Sequence, residues 1–219
     1  QKPSSSSSAA SSRIPKKLFE SILDHDLQEL YTSISGILEQ QQPLREALVE
    51  ETKAAILELW PEAKVETFGS FSTNLTAPSS DIDLVITGEG PWKSAKQWSP
   101  SQPKSEYDGS AVVDCLYKLA AHLDTKPFCC KIKPIAATNV PVINMVAADW
   151  RKEQPSGSLP PYSHFFECRL DVSFETPFHQ GLITKAFVSE LMLIFPALRP
   201  LVLIFKQLFS FHGMTNPFA

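Results

Sequence analysis

Asp81 and Asp83 flank a single apolar residue, and about a dozen residues before them stands Gly69-Ser70. Side chains on a strand alternate between faces, so the two carboxylates project to one side while Ile82 and Leu84 turn to the core. Hard oxygen ligands converging on one point suit Mg²⁺. Gly69 permits close backbone approach, and the Gly69 and Ser70 N–H groups with the Ser70 hydroxyl could hold a phosphate over the metal. A small flexible turn followed by paired carboxylates is the order of parts that metal-dependent nucleotidyl transfer needs. Asp-x-Asp alone is common at strand ends and turns, so the weight rests on its combination with the Gly-Ser turn.

The elements that must carry these residues are legible in the spacing of apolar positions. From Leu18 to Leu38 apolar residues recur every three or four positions, which predicts an amphipathic helix broken near Gly36. A second helix is expected after Pro43, ending at Pro61. The period then changes, and Val65–Phe68 and Leu84–Ile86 read as strands joined by the Gly-Ser loop, with a short helix near Ser70–Leu75. Gly88–Asp108, rich in Pro, Ser, Gly and Lys, reads as a mobile surface excursion that carries Trp92 and Trp98. Val112–Leu123 has helical spacing. Short strands follow around Cys129–Ile135 and Pro141–Met145, then a second excursion over Arg151–Ser163, a strand over Phe165–Phe174, and two apolar helices, Gly181–Phe195 and Pro200–Phe211. In the late strand Leu170, Val172 and Phe174 share one face, and Arg169, Asp171 and Ser173 the other. An aspartate in a strand otherwise built for burial is costly unless paired, with Arg169 at hand, or bound to a cation. Asp171 is therefore the third candidate carboxylate.

Composition narrows the classes. With 219 residues, 43% of them hydrophobic and 14 of them Phe, the chain can bury one substantial core or two small ones. Its longest apolar stretches fall far short of the roughly 20 residues that span a bilayer, so no membrane segment is expected. Residues 1–14 read as a disordered serine-rich tail rather than a signal peptide. Four cysteines without Cys-x-x-Cys spacing and five scattered histidines argue against zinc and against a disulfide framework, and fit a reducing compartment, cytosol or nucleus. Cys129 and Cys130 are expected to pack in the core. A net charge of -4 is unexpected for an autonomous RNA binder, because Lys and Arg contacts to phosphate supply most non-specific affinity.

Several runs taken together resemble one family. They are Glu58-Leu59-Trp60-Pro61, Phe68-Gly69-Ser70-Phe71-Ser72-Thr73, Ser80-Asp81-Ile82-Asp83-Leu84-Val85, Val140-Pro141-Val142-Ile143, Leu170-Asp171-Val172-Ser173-Phe174, and Arg199 through Phe209. From about Leu18 to the last residue, in this order, they look like a noncanonical poly(A) polymerase of the nuclear RNA-surveillance Trf class, within the DNA polymerase beta nucleotidyltransferase superfamily. The resemblance implies an α+β fold, a polymerase-beta-like catalytic domain of mixed sheet and helices inserted in a helical central domain. Residues 15–60 would be N-terminal helices packing with the central domain, 61–176 the catalytic domain, and 177–219 the start of an incomplete central domain.

The same resemblance implies a site. Asp81, Asp83 and Asp171 fall on the family's catalytic and metal-binding triad, Gly69 and Ser70 on its phosphate-holding turn, Ser80 on a further phosphate contact, and Lys206 on a lysine near the triphosphate. Asp81 and Asp83 would bridge two Mg²⁺ (or Mn²⁺) ions and Asp171 would bind the one facing the RNA 3′-hydroxyl. Implied with it are ATP and an RNA 3′ end as substrates, a zinc-knuckle RNA-binding subunit, an RNA helicase and the exosome as partners, and the nucleus, nucleolus included, as location. Three departures stand out: Asn74 where the family usually has Gly, Asn144 where it usually has Lys, and an ending after Asn216-Pro217-Phe218 that reads as a fragment or truncated product. Terminal uridylyl transfer and a non-catalytic scaffold in an RNA-decay assembly are the competing readings.

Overall fold

The computed structural model describes residues 16–93, 99–147 and 168–214. Its elements are α1 (Lys16–Leu59), β1 (Lys64–Phe68), α2 (Gly69–Ser72), β2 (Ile82–Thr87), a 3-10 turn at Lys104–Glu106, α3 (Ser110–Leu123), β3 (Cys129–Ile135), β4 (Val142–Ala147), β5 (Arg169–Phe174), α4 (Gly181–Ile194) and α5 (Leu198–Phe211). The strands form one mixed sheet in the order β1-β2-β5-β4-β3. Among the described strands only the β2–β5 pair is parallel; the β1–β2, β4–β5 and β3–β4 pairs are antiparallel.

The first two expected helices are one. α1 runs unbroken through Gly36 and Pro43. A helical glycine costs only about 1 kcal/mol, and Pro43 deprives the Glu39 carbonyl of its usual N–H partner. Against this, Ile34 before the proline and Leu48, Val49, Ala55 and Ile56 after it are all buried, and a continuous helix keeps them there.

The core lies on the sheet face made by Ile82, Leu84 and Ile86 of β2, Leu170, Val172 and Phe174 of β5, and Ile143 and Met145 of β4, covered by α3 and the second half of α1. The Gly88–Asp108 excursion is not a surface feature throughout. Trp92 is 1% exposed and packs on Trp60 at 5.5 Å and Phe174 at 5.6 Å between ring centroids. A tryptophan offers more apolar area than a proline- and serine-rich segment can leave in water without loss, which is what draws it inward. The excursion is tied again by Lys93 to Glu175 at 2.6 Å and by Tyr107 against Phe178. Trp98 and the Arg151–Ser163 stretch lie outside the described residues.

Of the adjacent pair expected in the core, Cys130 is exposed. A register shift between Cys129 and Lys131 turns it outward, while Cys129 stays half-buried, where burial pushes its thiol up to about 12. Elsewhere α5 returns to α1: Arg199 stacks over Tyr31 and donates to its hydroxyl. Among the described residues no single helix is long and apolar enough to cross a membrane.

Candidate active site

Asp171 is far from Asp81 and Asp83 in the chain, and strand pairing brings them together. Parallel pairing sets Asp83 directly opposite Asp171, antiparallel pairing sets Asn144 opposite Asp171, and Phe68 stands opposite Asp83 on the other side. Residues paired across strands share a sheet face, so Asp83, Asp171 and Asn144 form one row on the face away from the core. Asp81, just before β2, adds its charge to that row.

The electrostatics follow from this crowding. Burial, then the charges of Asp171 and Asp81, raise the Asp83 carboxyl to about 7, while the Lys206 ammonium pulls the other way. Burial also raises Asp171, opposed by a hydrogen bond from Asn144 Nδ2 to Asp171 Oδ1 at 2.7 Å, with Asp81 again raising it. Half-buried carboxylates that resist losing their protons are short of positive charge, and oxygen donors of this kind fit a hard divalent cation. The side chains do not converge as they stand. Among the described residues no three Asp, Glu, His or Cys groups are gathered closely enough to hold one ion. One Asp171 oxygen is taken by Asn144. What the fold supplies is a shared row: the carboxylates expected at one ion lie on neighbouring strands and on one face of the sheet.

The Gly-Ser turn is pressed against that row. Gly69 has φ +62°, and a Cβ there would sit 2.1 Å from Asp83 Oδ2, so the position needs glycine both for its backbone and for the carboxylate beside it. The turn closes on itself through Thr73 Oγ1 to the Gly69 carbonyl at 2.9 Å and Leu75 N to the Ser70 carbonyl at 2.9 Å. Asn74, where the family usually has glycine, adopts φ +58°, a conformation that Asn accepts more readily than most residues. Helices α4 and α5 brace both ends. Lys185 Nζ donates to the Thr67 carbonyl at 2.9 Å, Arg199 Nε to Asn74 at 3.1 Å, and Lys206 Nζ to Leu75 at 2.9 Å. Lys206 is lowered by burial and raised by Asp83, so its charge reaches the row while its hydrogen bond holds the turn.

Ser80 has a structural task ahead of any phosphate contact. Its Oγ accepts the Ala77 N–H at 3.0 Å, and its own N–H donates to the Ala77 carbonyl at 2.9 Å, closing the turn that leads to Asp81. Beneath this turn lies Arg45 of α1, 1% exposed, donating to the carbonyls of Ser80 at 2.9 Å and Pro78 at 3.0 Å. Reading the sequence missed Arg45, Asn144 as a partner of Asp171, and Lys185. Arg45 had a signal: it shares a helix face with Leu48, Val49 and Thr52, and a charge on a buried face demands acceptors. Asn144 had none beyond its place in an apolar strand, because its contact depends on register.

Comparison with known proteins gives the chain a family and a fold. A family model described as poly(A) RNA polymerase, mitochondrial-like, central palm domain matches residues 23–179. Poly(A) RNA polymerase protein 2 of Saccharomyces cerevisiae is 30% identical over 194 residues, 89% of this chain and 27% of that protein. The solved polymerase core of TRAMP, an RNA surveillance complex, is 28% identical with a TM-score of 0.60, covering 87% of this chain and 48% of that one. Cid1, an RNA terminal uridylyl transferase, shares the fold at 15% identity and a TM-score of 0.57, over 87% of this chain and 46% of its own. The chain therefore spans about a quarter of the curated relative and about half of each solved chain. The matched residues span every described strand of the sheet and all three carboxylates, and this chain belongs to the poly(A) RNA polymerase family of the mitochondrial-like central palm domain.

Proposed function

We propose that the protein is a template-independent RNA 3′-end nucleotidyltransferase that adds AMP from ATP to RNAs marked for nuclear decay. The observation that carries this is the row of Asp83 and Asp171, with Asp81 beside it and the Gly69 backbone packed on Asp83, in a chain 30% identical to a poly(A) RNA polymerase. Asp81, Asp83 and Asp171 would hold Mg²⁺, which when bound neutralises the triphosphate and acidifies the attacking hydroxyl.

The chain's own groups have separate tasks. Asp171 Oδ1 is occupied by Asn144, which leaves Oδ2 to accept the proton of the RNA 3′-hydroxyl. The 3′-oxygen forms a bond to the α-phosphorus as the bond to the β-phosphate oxygen breaks, and pyrophosphate leaves. Gly69 and Ser70 N–H groups and the Ser70 hydroxyl hold phosphate oxygens, the Ser80 hydroxyl can still donate to one, and Lys206 balances charge as pyrophosphate departs. With a net charge of -4, the chain draws its RNA affinity from a partner, a zinc-knuckle RNA-binding subunit, and acts in the nucleus beside an RNA helicase and the exosome.

The test is extension of an oligo(A) primer by the full-length protein containing this chain, with Mg²⁺ and with ATP and UTP side by side. Extension with ATP that is lost in Asp81→Ala and Asp83→Ala is expected. Undiminished extension by either variant would overturn the site, and preference for UTP would replace adenylyl with uridylyl transfer. Tight RNA binding by the chain alone at physiological salt would contradict dependence on a partner.

A further inference from the structure

Arg45 belongs to α1, outside the sheet, yet it touches the segment that leads into Asp81. Its guanidinium is in the interior, and its two terminal nitrogens reach different acceptors: Nη1 the Ser80 carbonyl at 2.9 Å, Nη2 the Pro78 carbonyl at 3.0 Å, with Gln41 Oε1 at 3.4 Å behind. The same four-residue turn is closed from within by the two Ala77–Ser80 hydrogen bonds. Carbonyls two residues apart point to one donor group only when the chain between them is tightly turned. The turn's next residue is Asp81, close enough that its charge bears on Arg45.

We infer that Arg45 is a positioning residue for the nucleotidyl-transfer site: it holds the Ala77–Ser80 turn in the shape that delivers Asp81 to the carboxylate row, and thereby sets the site's divalent-cation affinity. This rests on the reading of the row as a metal site. The fork of arginine is what the position requires. A lysine has a single nitrogen on a flexible stem, so it keeps the charge and loses one of the two anchored carbonyls. The carbonyl left over is free to turn, and Asp81 turns with it. Groups that orient ligands without touching the metal typically govern affinity or activity by 10- to 100-fold, roughly, and Arg45 does so through backbone rather than through the carboxylate itself.

Mn²⁺ binding is measured by calorimetry without nucleotide, on wild type, Arg45→Lys and Ser80→Ala, each well below its own melting temperature. ATP extension is then followed against Mg²⁺ concentration. Ser80→Ala loosens the same turn without disturbing a buried charge, so it keeps the inference testable if Arg45→Lys fails to fold. The expected result is a Kd for Mn²⁺ raised about tenfold in Arg45→Lys and less in Ser80→Ala, with extension by Arg45→Lys recovering toward wild type as Mg²⁺ is raised. A lower melting temperature with Mn²⁺ affinity and Mg²⁺ dependence within about twofold of wild type would mean that Arg45 only stabilises the fold, and would overturn the inference alone. Wild-type protein that binds no Mn²⁺ would overturn the metal-site reading itself, and this inference with it.

Discussion

Gly69→Ala tests the contact between the turn and the carboxylate row most directly. The added Cβ would lie 2.1 Å from Asp83 Oδ2, 2.9 Å from Cγ and 3.3 Å from Cβ. Ordinary carbon contacts settle at about 3.5 to 4.0 Å, so the overlap exceeds an ångström at the oxygen and persists at Cγ. A small tilt of the carboxylate cannot relieve it; either the whole Asp83 side chain swings away or the turn opens. The left-handed backbone, φ +62°, costs an alanine about 1 to 2 kcal/mol in addition. Moving Asp83 away from Asp171 and Asp81 returns part of this by easing their repulsion, so the net loss of stability should stay near 1 to 2 kcal/mol, roughly, in denaturant unfolding. Activity has no such relief. Displacing a ligand should lower ATP extension by at least the roughly 100-fold that misplaced supporting groups can cost. Gly36→Ala is the control: nothing lies within 4 Å of its Cβ, and in mid-helix it should stabilise the chain by about 0.5 to 1 kcal/mol with activity unchanged. Extension by Gly69→Ala within about threefold of wild type would refute the argument that Asp83 needs this glycine.

Three further outcomes are expected. With metal chelated, folded Asp83 keeps its proton to about 7 against an ordinary 3.8, so the native state binds more protons in that window and stability falls as pH rises through it. Asp83→Asn escapes that loss: its advantage over wild type should be near zero at pH 3.5 and grow to at most about 4 kcal/mol above pH 7, whereas an equal advantage at both ends would show that charge is not the cause. Trp92→Ala empties the space between Trp60 and Phe174 and should cost about 3 to 5 kcal/mol in thermal unfolding; a loss below about 1 kcal/mol would contradict its place in the core. Leu193 and Phe211 are each 83% exposed on the apolar α4–α5 pair, so replacing both with Glu should reduce self-association in sedimentation without lowering the melting temperature, and unchanged association would refute a role for that face.

The local order of the chain was enough for much of this. Alternation put Leu170, Val172 and Phe174 opposite Asp171, and Asp83 on the face away from Ile82 and Leu84 with Asp81 just ahead of the strand, because the two-residue period of a strand is a property of the backbone itself. The left-handed Asn74 stands where the resemblance expects glycine, the residue that this conformation favours. Other features depend on partners distant in sequence. Pro43 reads as a stop until the burial of Leu48 and Ile56 is counted, and Trp92 reads as surface until Trp60 and Phe174 make room for it. The strand pattern made Asp171 a third candidate and the resemblance joined it to the other two; the parallel register of β2 and β5 provides the physical means. The tertiary structure also decided what the carboxylates experience: Asn144 on one oxygen of Asp171, Arg45 beneath the turn before Asp81, and the Gly69 backbone against Asp83. Residue types and spacing determine which groups can do chemistry, but charge and position are set by whatever folds against them, and those neighbours come from strands and helices tens of residues away.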